Sequence, residues 1–266
     1  MDNRKIDVAI ITGNELRHKF FASYLSRKLK VKLVIYENKA NIHNNINYGI
    51  KGNKIVKEHF EMRLKSERKF FSNTSPLISD NIIKIKSGDL NSQINLNRII
   101  NSKIKYILLF GSSIIGDDIL EKFENKVINL HLGLSPYYRG SGTNFWPLVD
   151  SLPECVGATI HLAIKKIDAG GVLKQLRPDI AISDNSHDIG NNVILKSIKL
   201  IPSLLDKYDS KTIFPIPINV KKGKLFLRKD LTIESIKKLY HNFQNNMIED
   251  YLKNKSIRQK KYPIIE

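Results

Sequence analysis

The chain's 266 residues are enough to bury a full core, and 41% hydrophobic with 26% charged residues is ordinary for a soluble globular protein. A single cysteine, Cys155, excludes an intramolecular disulfide and a multi-cysteine zinc site. No apolar run nears the ~20 residues that span a bilayer, and MDNRKIDVAIIT lacks a signal peptide's apolar core, so a cytoplasmic protein with no membrane contact is expected. The net charge of +18 is dispersed, with 13 Lys or Arg against 5 Asp or Glu from Lys211 onward; it reads mainly as solvated surface, favouring an anionic ligand over a cationic one and disfavouring a nucleic-acid face.

Residues 6–12 (IDVAIIT) predict a buried strand and Gly13-Asn14 its turn. Residues 15–29 predict a helix with an apolar stripe at Leu16, Phe20, Phe21, Tyr24 and Leu25. This is the opening unit of a doubly wound sheet, but without the G-x-G-x-x-G of a dinucleotide site. Gly13, Asn14, Arg17 and His18 stand where a helix N-terminus attracts anions; a tight turn with exposed polar residues accounts for them equally well. Residues 31–36 predict a second strand and the Asn-rich residues 40–53 a loop. The helix expected over 55–71 carries Lys57, Arg63, Lys65, Arg68 and Lys69, preceded by Lys51 and Lys54. Glu58, Glu61 and Glu67 interleave with these bases, as on a solvated helix with i,i+4 ion pairs.

A strand at 82–85, a helix at 92–101 and a strand at 106–110 (YILLF) follow, the last ending in Gly111-Ser112-Ser113-Ile114. After a short helix at 117–123 comes the stretch VINLHLGLSPYYRGSGT, residues 127–143. Its opening strand points Asn129 and His131 to the same side, and Gly133, Ser135, Pro136, Gly140, Ser141 and Gly142 then turn the chain into a loop. Polar groups leaving a buried strand at its carboxyl end read as an active-site edge; a hydrogen-bonded core histidine beside a connector is the alternative. Beyond lie a helix at 144–151 with Trp146, a strand at 156–163 with His161, and a turn at Asp168-Ala169-Gly170-Gly171. A strand is expected over 172–182 and a helix over 185–201 that Pro202 ends or kinks. Cys155 reads as a core residue. Past Lys211, Pro215, Pro217 and Gly223 break the pattern before a short strand at 225–227 and one or two helices over 233–251.

The segment N-L-H-L-G-L-S-P-Y-Y-R-G, then G-A-T-I-H and I-D-A-G-G-V-L, resembles the folate-dependent formyltransferase family, over roughly residues 6–210. The family signature is Asn-x-His, a loop S-L-L-P, and an Asp beside Gly; Gly133-Leu134-Ser135-Pro136 departs from it. The resemblance implies an α/β, Rossmann-like formyltransferase fold with a mostly parallel sheet. It gives a catalytic domain at 1–210 and a short, mainly helical C-terminal extension at 211–266 that caps the cleft or makes a homodimer contact. It implies Asn129, His131 and Asp168 as the catalytic triad, Phe110, Gly111, Ser112, Ser113 and Ile114 as the lining of the pterin pocket, and N10-formyltetrahydrofolate as donor, with no metal. His161 is expected to be structural, or to act through the triad.

Such chemistry asks for few parts. Asn129 can donate to the developing oxyanion, a donor worth roughly 3–4 kcal/mol. His131 can polarise the same oxygen or carry a proton, and Asp168 can orient His131 or relay the amine's proton. For the acceptor, the resemblance favours a nucleotide-linked amino sugar, with Tyr137, Tyr138 and Arg139 offering ring faces and a guanidinium; packing of this loop against the cleft explains them equally well. Asn14 and Arg17 join the candidate substrate residues because a similar Gly-Asn turn holds the substrate phosphate in glycinamide ribonucleotide formyltransferases. A methionyl-tRNA formyltransferase-like enzyme is the first alternative, although the 56-residue tail is short for a tRNA-gripping barrel. A formyltetrahydrofolate hydrolase is the second, although no regulatory domain precedes Ile6.

Overall fold

The computed structural model describes residues 6–38, 52–79, 81–219 and 223–266. Strands β1 (Asp7–Gly13), β2 (Lys30–Asn38), β3 (Ile82–Lys86), β4 (Tyr106–Phe110) and β5 (Val127–Leu132) run parallel in the spatial order 3-2-1-4-5. β6 (Tyr138–Gly140) leaves the sheet. β7 (Ala158–Leu162) then lies antiparallel to β5, and β8 (Val172–Leu176) antiparallel to β7, closing a mostly parallel, seven-stranded Rossmann-like sheet. The central strands read as unbroken apolar runs because helices cover both faces. On one face α1 (Leu16–Ser26), the end of α2 (Lys54–Phe71) and α6 (Ser186–Asp209) pack Phe21, Leu25, Phe71, Val193 and Ile198 against Val8, Ile10, Leu108 and Ile128. On the other, α3 (Gln93–Asn101) and α4 (Asp117–Lys122) set Leu96, Ile99 and Ile119 on Ala9, Ile11 and Ile107.

Most expected elements fall within a few residues of their sequence positions. The expected loop at 40–53 lies, up to and including Lys51, outside the described residues. Two boundaries differ. β8 stops at Leu176 rather than running to 182: the Arg177 guanidinium is drawn to the Glu154 and Tyr262 carbonyls, and Pro178 has no N–H to give a ladder. α6 runs through Pro202 to Asp209 instead of ending there. Beyond the proline, Leu204 and Leu205 continue the buried stripe, and their burial offsets the lost helix hydrogen bond.

Residues 211–266 fold back on this core. β9 (Lys224–Phe226) pairs in parallel with β6. Helices α7 (Ile233–Gln244), α8 (Met247–Lys253) and α9 (Lys255–Lys260) follow, α7 and α8 parting at Asn246, which holds a left-handed φ of 58°. Leu239, Met247 and Ile248 share a core with the short α5 (Trp146–Val149), while Ile236 packs on Val56 and Phe60 of α2. Near the chain end, Gln175 and Ile265 exchange hydrogen bonds of 2.7 and 3.1 Å. Among the described residues no helix is long and apolar enough to cross a membrane.

Candidate active site

Asn129 and His131 leave β5 on one side of the strand, and the antiparallel register with β7 sets His161 directly opposite Asn129. The His161 ring gives its Nδ1 proton to the Leu162 carbonyl at 2.8 Å, and its Nε2 faces the Asn129 amide nitrogen, a donor, at 3.2 Å. That contact fixes the Asn129 amide and leaves its second hydrogen for a ligand. Asp168, on the β7–β8 turn with φ 50°, reaches back between the histidines. Its Oδ1 is 3.5 Å from His131 Nδ1 and 3.6 Å from His161 Nε2.

Electrostatics sets these groups apart. Burial opposes ionisation of Asp168, but its closeness to His161 and His131 and the Gly140 amide outweigh it, so its carboxyl sits below the ordinary range. His131, only 8% exposed, is pushed the other way. Desolvation holds its pKa below the usual 6.5 despite Asp168, with His161 and Arg139 adding to the depression. At neutral pH the pair is therefore a carboxylate beside a neutral imidazole. His131 Nε2 is buried and, among the described residues, has no hydrogen-bond partner. With the ring's proton on Nδ1, facing Asp168, this atom carries the lone pair of a base.

These residues line a cleft of 1170 Å³ at the carboxyl ends of the parallel strands. Phe110 through Ile114 form part of the same lining. Two buried side chains fasten that segment. Glu37, fully buried at the end of β2, accepts the Ser113 N–H. The His18 imidazole, edge-on to Phe110 with centroids 4.9 Å apart, wedges between Gly13 and Gly111. A Cβ on either glycine would come within 2.5 Å of its ring, and Gly111 also has a φ of 65°.

Farther along the cleft the walls come from α2, from Ser186 to Ile194 at the start of α6 and from the tail at Leu227 to Glu234. His59 and His187 face each other at 4.6 Å between centroids, with His59 Nδ1 3.0 Å from the Tyr240 hydroxyl of α7. Burial and neighbouring Arg63 push His59 down to about 4; burial, His59 and Arg63 push His187 down to about 3. Both rings are neutral. Among the described residues no group of three or more His, Cys, Asp or Glu is placed to hold a metal.

The structure thus brings together Asn129, His131, Asp168, the 110–114 segment and Arg17 in one cleft. Arg17 is tied to Glu15 and Glu67. It does not bring Asn14 there: its amide donates to Asn38 at 2.8 Å, beside a separate 560 Å³ pocket. Tyr137 donates to the Pro263 carbonyl, while Tyr138 stacks on Phe226 and donates to Asp150, so both rings join loop to tail and neither lines the cleft. Arg139, on β6, is not among the lining either. His18, His59, His187, Arg228 and Lys229 are cleft residues that the sequence did not single out as a set, because four separate segments deliver them.

The profile of the formyl transferase family matches residues 54–205. Solved structures share the fold at low identity. A formyltransferase from Anoxybacillus kamchatkensis, in complex with UDP-4,6-dideoxy-4-formamido-L-AltNAc and tetrahydrofolate, is 20% identical with a TM-score of 0.51, covering 87% of this chain and 97% of that one. An N-formyltransferase from Helicobacter canadensis, in complex with folinic acid and dTDP-3-aminofucose, is 19% identical (TM-score 0.53; 88% and 80% covered). The phosphoribosylglycinamide formyltransferase from Anaplasma phagocytophilum is 14% identical (TM-score 0.55; 84% and 99% covered).

Proposed function

The chain belongs to the formyl transferase family, and from that premise we propose that it moves a formyl group from N10-formyltetrahydrofolate to the amine of a nucleotide-linked amino sugar. The observation that carries the reading is the meeting of Asn129, His131 and Asp168 in one cleft with the Gly111-to-Ile114 segment. At 1170 Å³ the cleft exceeds a single-ligand pocket of roughly 300–1,000 Å³ and suits two reactants that meet at Asn129. The Gly111-to-Ile114 segment, held by Glu37 and His18, is the side we assign to the pterin, and the donor supplies the electrophilic formyl carbon there.

The residues divide the work by protonation state. The free hydrogen of the Asn129 amide donates to the formyl oxygen as negative charge develops on it. The His131 Nε2 lone pair takes the proton that the attacking amine sheds, and ionised Asp168 stabilises the imidazolium that results. The proton ends on the departing nitrogen of the donor. Residues 1–210 carry these groups, and the extension at 211–266 supplies one wall of the acceptor end.

Two solved structures of the same fold hold nucleotide-linked sugars, which supports this acceptor class. Glycinamide ribonucleotide fits less well. A phosphate at the β1–α1 turn would meet the His18 ring that fills the space beside Gly13. The test sets UDP- and dTDP-linked amino sugars, glycinamide ribonucleotide and aminoacylated initiator tRNA side by side with the formyl donor. Formylation of a nucleotide sugar supports the reading. Formylation of the ribonucleotide or tRNA alone overturns it.

A further inference from the structure

The charged groups that line the cleft are compensated everywhere but at one place. Arg17 and Arg63 share Glu67, with Arg63 Nε 3.3 Å from its carboxylate, and both also face Glu15. Asp168 lies between His131 and His161. Glu234 is paired with Lys237 at 3.0 Å. The cleft histidines His59, His131 and His187 are all held neutral by burial. What remains is Arg228 and Lys229, adjacent on a single 3-10 turn of the tail, both exposed and, among the described residues, neither with an acidic partner within 4 Å.

That turn is built to stay where it is. Asp230 accepts the Leu227 N–H at 2.7 Å, closing the turn on itself, and Thr232 caps α7 just beyond. On its other side Phe226 accepts the Ser141 N–H at 2.8 Å. There the two backbones approach so closely that a Cβ on Gly140 would lie 2.1 Å from the Phe226 oxygen. Since the Gly140 amide also holds Asp168, the pair of cations is fastened through one short strand pairing to the reacting end of the cleft.

We propose that Arg228 and Lys229 are the diphosphate subsite of the acceptor, an inference that rests on the nucleotide-sugar reading and names the residues that would select for it. A pyrophosphate diester carries two negative charges at neutral pH, matching the two uncompensated positive charges. Arg offers a planar fork to one phosphate and Lys a mobile ammonium to the other. The amino sugar then extends from the tail turn toward Asn129 and His131. The subsite lies on the extension, outside the segment that carries the reaction, so it governs which amine arrives and not how it reacts.

The test uses the full chain with the double variant Arg228→Ala/Lys229→Ala and, separately, Arg228→Glu. Binding of UDP, dTDP and inorganic pyrophosphate is measured by calorimetry, and kcat and KM with the nucleotide amino sugar that the wild type formylates. The expected result is a KM and a UDP dissociation constant raised about tenfold or more in the double variant and further in Arg228→Glu. kcat should stay within about twofold, with melting temperature and tetrahydrofolate affinity unchanged, which a general loss of structure would not leave intact. Wild-type UDP affinity and KM in the double variant, while the wild type does formylate a nucleotide sugar, would overturn the subsite and leave the function standing. A wild-type protein that neither binds UDP nor dTDP nor formylates any nucleotide sugar would overturn both.

Discussion

Asn129, His131 and Asp168 stand on one strand and one turn of the main sheet, whereas the other end of the cleft is assembled from α2, the start of α6 and the tail turn at Arg228. At the sheet end every charge has a partner, and the groups differ by protonation state: an ionised carboxylate, a neutral base, an amide donor. At the far end the histidines are neutral and, among the described residues, two cations stand uncompensated. Chemistry asks for fixed geometry and internal balance, which a sheet register provides. Selection of a partner asks for unsatisfied charge, which a surface turn provides more cheaply, because solvated cations lose little when no ligand is bound.

The comparison breaks most visibly at the sheet end. His131→Ala should lower kcat by about 10²–10⁴ and Asn129→Ala by about 10²–10³, with acceptor KM little changed. Because His131 and Asp168 act as a unit, the double variant His131→Ala/Asp168→Asn should cost little more than His131→Ala alone. Additive losses would show that Asp168 works independently, as a direct proton relay to the amine. Circular dichroism and melting curves should match the wild type, separating chemistry from folding.

Gly140→Ala strikes where the two ends join. The residue has a φ of 89° and no room for a Cβ against Phe226, so the β6–β9 pairing must shift. A stability loss of about 1–3 kcal/mol is expected by thermal denaturation. Together with it, kcat should fall through Asp168 and acceptor KM should rise through the displaced tail turn. A variant that changes only one of the two constants would mean the ends are not coupled through this strand.

Protonation at the sheet end can be read without any acceptor. His131 is expected to titrate below 6.5, because burial outweighs the attraction of Asp168. The lowered value keeps the ring neutral through neutral pH, and only on acidification below the ordinary histidine range does it gain a proton and cease to act as a base. Imidazole NMR of the ligand-free protein, with His131→Ala to assign the signal, measures this directly. Titration at or above 6.5 would make the carboxylate, and not desolvation, the stronger influence.

How much of this was legible in the sequence follows the same division. Asn129 and His131 share a side of β5 because strand periodicity is two, and the Asp-Ala-Gly-Gly run could be read as a turn, but spacing alone left a core histidine equally open, and Asp168 joined the pair only through the resemblance. That Pro202 ends or kinks the helix is a reading of its local cost, which is visible in sequence, while the tertiary burial of Leu204 and Leu205 that carries the helix on to Asp209 is not. Arg228 and Lys229 looked like two more bases in a basic tail. Only the pairing of β9 with β6 carries them to the cleft, and the short strand expected at 225–227 gives no sign in sequence of which strand it pairs with.

The aromatic pair Tyr137 and Tyr138 gives the smallest expected effect and the sharpest check on that lesson. Two aromatics and an arginine beside a catalytic loop invite a sugar-binding reading, yet their contacts point to the tail. Tyr137 gives its hydroxyl to the Pro263 carbonyl at 2.8 Å and meets Tyr262 edge-on at 5.3 Å, and Tyr138 is 2% exposed against Phe226. Tyr137→Phe removes one solvent-exposed hydrogen bond and keeps the ring. It should cost no more than about 1 kcal/mol of stability and leave kcat, acceptor KM and UDP affinity at wild-type values. If acceptor KM instead rises severalfold while the melting curve stays put, the Tyr137 hydroxyl reaches the sugar after all. The far end of the cleft would then have to extend past β6 to include this loop.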